Sequence, residues 1–182
     1  SGVLNQSAGT VATATLTIND GGTFTQSGTG ELITTNTTLG AGANLTLVNQ
    51  GAGAIDGAAA QQGALIFAGD YETDSAIGDT NGLASATIND GATLSLSKNL
   101  EANAVNVGGG TSGVVNHSAG TLASATLTIN NGGTFTQSGS GVINATNINI
   151  GNGTLTLANS GTGLINGSAA GTGSLNIAGE YD

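Results

Sequence analysis

Ala14-Thr-Leu-Thr-Ile-Asn-Asp-Gly-Gly-Thr-Phe-Thr-Gln-Ser-Gly28 carries the pattern that decides the fold. Its first five residues alternate, with Leu16 and Ile18 on one side and Thr15 and Thr17 on the other, the period of a half-buried strand. Asn19-Asp-Gly-Gly22 then supplies residues that tolerate the left-handed backbone of a tight corner. Alternation resumes at Thr23-Phe-Thr25, so the stretch reads strand, corner, strand. It returns almost unchanged as Ala125–Gly139, with Asn131 where the first copy has Asp20.

Outward from this stretch the repeat widens until it covers most of the chain. Of the first 30 residues, 24 recur at an offset of 111, and beyond residue 43 the offset becomes 110. Three units follow: a long repeat at 1–72, a shorter diverged module at 73–111, and the second long repeat at 112–182. A chain that opens and closes inside one repeat reads as a window on a longer array, stacked along one elongated core.

Period-2 segments also occur at Asn44–Val48, Ala64–Phe67, Ala86–Ile88, Thr93–Ser97, Asn103–Val107, Asn147–Ile150, Thr154–Leu157 and Ser174–Ile177. None carries the apolar stripe of a helix, and the density of glycine and β-branched residues disfavours one. The same regularity argues against a disordered linker. Asn-Gly corners between short strands suit either hairpins of an antiparallel sandwich or bends of a β-solenoid. Recurrence of similar strands favours the solenoid, stacked like on like in one continuous coil. At ~20–25 residues per turn and ~4.8 Å of rise, the expectation is an all-β rod of about eight turns and about 40 Å, with open strand edges at its ends.

Composition agrees with a thin core. The chain has 33 glycines, three Phe, two Tyr and neither Trp nor Met, leaving Leu, Ile, Val and Ala to fill the interior. Proline, which cannot donate to a β-ladder, is absent. A net charge of −10 disfavours phosphate backbones and anionic lipid, so nucleic-acid partners are not expected. Without cysteine there is neither a disulfide nor a thiolate metal site, and no stretch approaches the ~20 apolar residues that span a bilayer.

Gly153-Thr-Leu-Thr-Leu157, Ala43-Asn-Leu-Thr-Leu47, Ser160-Gly-Thr-Gly-Leu-Ile-Asn-Gly167 and Gly173-Ser-Leu-Asn-Ile-Ala-Gly179 resemble the passenger repeats of bacterial autotransporters and haemagglutinin-like adhesins. The resemblance extends over essentially the whole chain. It implies a right-handed parallel β-helix, export, an extracellular place at the bacterial cell surface, and a role in adhesion, a stalk or a surface layer.

Chemistry-bearing residues are sparse. Asp70, Glu72, Asp74 and Asp79 form the densest acidic window, and alternating carboxylates on an extended chain could hold Ca²⁺, although no EF-hand spacing is present. Glu180 and Asp182 begin a similar window. Solvated acidic loops are the plainer reading, and no cofactor is required. His117 replaces Gln6 of the other copy, so a neutral amide serves equally there and a catalytic imidazole is not expected. With Lys98 the single cation and no convergent carboxylate pair, no enzymatic activity is expected.

Thr15/Thr17, Thr23/Thr25, Thr126/Thr128 and Thr134/Thr136 give Thr-x-Thr pairs whose outward hydroxyls could form a ladder for ice or a host glycan. Thr also simply favours strands. Phe24, Phe67 and Phe135 read as interior fillers, while Tyr71 and Tyr181 could stack on sugars. The favoured expectation is a structural or adhesive surface element whose partner is itself, end to end, with a host receptor or glycan as a further partner. A ligand-binding solenoid is the alternative.

Overall fold

In the computed structural model, which describes residues 2–159, 161–167 and 173–178, the chain is a parallel β-solenoid of about eight turns. No helix occurs among the described residues. Three parallel sheets build the faces of the coil.

The first face is a nine-stranded sheet in the order β1 (Val3–Gln6), β3 (Thr23–Gln26), β5 (Asn44–Leu47), β7 (Ala64–Phe67), β9 (Leu83–Ile88), β11 (Leu100–Val107), β13 (Thr121–Ile129), β15 (Val142–Ile150) and β17 (Gly161–Gly167). A second face joins β2 (Thr10–Ile18), β4 (Glu31–Leu39) and β6 (Ala52–Gly57). It continues through bridges from Ile55 to Ile77 and from Ile77 to Leu100. The third is a six-stranded sheet of β8 (Tyr71–Glu72), β10 (Thr93–Leu96), β12 (Gly113–His117), β14 (Gly133–Gln137), β16 (Thr154–Leu157) and β18 (Ser174–Ile177). Every pairing is parallel, as a coil requires and a hairpin sandwich forbids.

Each face contributes apolar columns to the interior. Phe24, Leu45, Leu65, Ala86, Val105, Leu127 and Ile148 stack in register on the first face, all buried. Tyr71, Leu94, Val115, Phe135 and Leu155 do so on the third. On the second, Ile55, Ile77, Leu100, Leu122 and Ile143 follow one another. Phe24, Phe67 and Phe135 are at most 1% exposed, as interior fillers should be.

Long strands turn a corner without leaving the ladder. In β4 the inward residues are Leu32 and Thr34, then Thr37 and Leu39; in β15 they are Ile143 and Ala145, then Ile148 and Ile150. The inward spacing lengthens from two residues to three at the bend, re-aiming the strand toward the next face. Thr34 and Thr37, both buried at such a bend, satisfy each other through a 3.0 Å hydroxyl contact.

Like-on-like stacking holds inside each long repeat but not between them. Thr23 leads by successive pairings to Asn44, Ala64, Ser85, Ala104 and Thr126, five turns on. The residue equivalent to Thr23 in sequence, however, is Thr134, which lies on the third face. The repeat therefore advances five turns and one face. The switch occurs in the segment after β7, where short β7 carries β9, a strand of the long type, and Tyr71 founds a new face. Tyr71 packs on Phe67 with ring centroids 5.1 Å apart, and its hydroxyl donates to the Ala52 carbonyl at 2.7 Å.

Removing an interior rung should cost far more than removing an outward one. Leu45→Ala should lose about 2–5 kcal/mol of unfolding free energy, whereas Thr46→Ala beside it should change stability by about 0.5 kcal/mol or less. Chemical denaturation of both variants measures the contrast.

Candidate functional site

The interior columns are interrupted at one corner by polar side chains that clamp the chain as it leaves a short strand. Gln26 donates to the Gly30 carbonyl at 3.0 Å and accepts from the backbone N–H groups of Val48 and Asn49 one turn on, at 2.9 and 2.8 Å. Gln137 repeats the arrangement, donating to Gly141 at 2.8 Å and accepting from Asn159 at 3.2 Å. Gln6 donates to Gly9 and Glu31. His117 fills the same slot: its Nε2 lies 3.2 Å from the Gly120 carbonyl, its ring meets Phe135 edge-on, and it is fully buried. Its other ring nitrogen has no hydrogen-bond partner among the described residues. Burial pushes the imidazole below its ordinary value, against the opposing pull of the Gly120 and Ala119 carbonyls. The interchange of Gln6 and His117 is thus a structural one, a buried neutral group bridging a bend.

The acidic window does not assemble into a metal site. Tyr71 and Thr73 point inward while Glu72 and Asp74 point out, as the alternation requires. Asp70 accepts from the Thr93 backbone N–H at 3.0 Å, and Asp79 accepts from the Asn99 side chain at 3.0 Å on a separate part of the coil. Among the described residues no three His, Cys, Asp or Glu side chains converge, so the candidate calcium set of Asp70, Glu72, Asp74 and Asp79 is not brought together. Instead Asp74 and burial together, burial foremost, hold the Tyr71 hydroxyl protonated well above its usual range. Tyr71 is an interior residue and offers no ring to a sugar; Tyr181, Glu180 and Asp182 lie outside the described residues.

The eight threonines occupy three faces. Thr23, Thr25, Thr126 and Thr128 share the first face, in columns whose intervening rungs include Ala64, Ile66 and Ala104. Thr15 and Thr17 lie on the second face, Thr134 and Thr136 on the third. The extra third of a turn scatters what sequence identity groups, so the pairs form no common plane.

Sequence reasoning overlooked Asp90. Its Oδ1 accepts four backbone N–H groups, from Gly109, Gly110, Thr111 and Ser112, at 2.8 to 3.2 Å. The glycine run 108–110 lets these amides curl around one anion. The donors, Gly109 foremost and Ser112 and Thr111 next, hold the Asp90 carboxyl down at about 2. A triple glycine one turn after an acidic corner was the available signal.

Apolar side chains stand exposed at the edges of the first and last described turns. Val3 is 71% exposed and Leu4 50% at one end, beside a hollow of about 380 Å³ lined by Leu4, Leu16, Ile18 and Phe24. Leu164, Leu175 and Ile177 are exposed at the other.

Two measurements check these corners. Native His117 stays neutral while the unfolded chain takes up a proton near the ordinary value of 6.5, so stability should be full above that pH and fall as the pH drops below it. His117→Gln should remove that loss, read by denaturation across the pH series; an unchanged slope would contradict the assignment. Asp90→Ala should accelerate hydrogen exchange at residues 109–112, and Asp90→Asn, which keeps an acceptor oxygen, should accelerate it less.

Comparison with protein families, curated proteins and solved structures finds no match to this chain.

Proposed function

We propose that this chain is a structural element of an exported surface protein, a stiff rod serving as fibre, stalk or surface-layer segment and associating end to end with copies of itself. The observation that carries this reading is the unbroken parallel ladder of about eight turns. Unpaired strand edges template further strands. A contact between two different ends is heterologous and propagates lengthwise.

Chemistry supports a mechanical role. Apart from Lys98, the acidic residues and scattered apolar side chains such as Ile33 and Val142, the outward rungs are mostly hydroxyls, amides and small side chains, and Asp70, Asp79 and Asp90 each accept local hydrogen bonds. The cell-surface location and the kinship with autotransporter passengers belong to the same proposal, resting on the repeat motifs.

Electron microscopy and light scattering of the purified chain across a concentration series test the association. Filaments about as wide as one coil are expected, and Leu4→Lys combined with Leu175→Lys should abolish them while circular dichroism stays strand-rich. Monomers at every concentration would remove the self-association from the reading.

A further inference from the structure

We propose that the second long repeat carries a groove that binds an extended, uncharged polysaccharide chain along the rod axis. This goes beyond the rod reading and does not depend on end-to-end association. The groove lies where the first face turns toward the third, holds about 440 Å³, and is lined by Thr128, Asn131, Asn149 and Asn166 with Gly109 and Gly151.

Thr128, Asn149 and Asn166 are register neighbours on three successive strands. They present one hydroxyl and two amides at the ladder spacing of ~4.8 Å, a repeat comparable to one sugar residue of an extended glycan. None of the three side chains makes a hydrogen bond among the described residues. Asn131 accepts from the Asn152 backbone N–H at 3.2 Å through its oxygen, leaving its amide N–H groups to donate.

The first repeat shows what the groove is not. At the matching positions it has Thr17, Asp20, Thr38 and Asp56. Asp20 accepts from Ala41 at 2.9 Å and Asp56 from Thr80 at 3.0 Å, so both side chains are already engaged. In the second repeat both are amides, which removes two negative charges and adds donors. The carboxylate of Asp90 stands beside this corner, its Oδ1 held by the backbone N–H groups of Gly109 and Gly110, which adds to the bias against an anionic ligand.

That chemistry selects the ligand class. Amides and hydroxyls both donate and accept, matching sugar hydroxyls, while the bare glycines at the wall let a chain approach the backbone. Acidic glycans find no cation in the groove. No aromatic ring is among the described residues that line it, so binding rests on a few hydrogen bonds, with Kd on the order of 1 mM.

The test is a titration of the ¹⁵N-labelled full chain with cellohexaose, maltohexaose and chitohexaose, and with a hexamer of galacturonic acid as the charged control. Shifts confined to residues 128, 131, 149, 151 and 166, with at least one neutral hexamer and none with the uronate, are expected. Asn131→Asp combined with Asn166→Asp restores the carboxylates that the first repeat already accommodates, so the fold is retained; it should weaken binding at least tenfold, and Asn149→Ala several-fold. Absence of shifts with all three neutral hexamers at about ten times the expected Kd would overturn the proposal, as would equal binding of the uronate or shifts at the first repeat's corner.

Discussion

The backbone ladder between successive turns is the constraint on which everything else rests. Because each strand hydrogen-bonds to the strands above and below, a side chain's direction is fixed by its parity along the chain and its height by its turn. An inward Leu must then lie over the inward residue one turn earlier. The core is a set of columns, each filled by whatever the pairing delivers, and small rungs such as Ala86 are tolerated where Phe67 and Ile88 fill the next column. Proline would break a rung at almost any position, and the chain has none.

Where the columns meet corners, polar groups replace apolar ones. Gln26, Gln137 and His117 are buried because the bend exposes backbone groups inside the coil that no strand can satisfy. Asp90 does the same from outside, gathering four amides that a glycine loop leaves unpaired. These two devices let short strands stack without hairpins, and both are local to one repeat and its neighbouring turn.

The sequence made the solenoid legible because Ala14–Ile18 and its relatives alternate cleanly and return with Asn-Gly corners. It hid the strands that bend. Glu31–Leu39 contains two alternating halves out of phase with each other, so period-2 reading passes over a nine-residue strand. Identity between copies suggested shared faces, and the pairing of β7 with β9 breaks that inference, since register belongs to the ladder and not to resemblance. The acidic window agrees with the plainer reading of solvated loops: Glu72 and Asp74 project together, while Asp70 and Asp79 are drawn off by separate backbone and amide partners. The amide-lined groove was invisible because Asn131, Asn149 and Asn166 are far apart in sequence and meet only through turns of the coil.

The surplus third of a turn in the 111-residue period has a mechanical corollary. Were every copy to sit at the same azimuth, a tandem run would carry its weak corner loops along one flank and bend preferentially toward it. Advancing each copy by 120° distributes hard and soft sectors evenly after three units, as the starts of a triple-threaded screw do. A run of three such units would therefore bend with a stiffness isotropic about its axis, even though built from three distinct sheets.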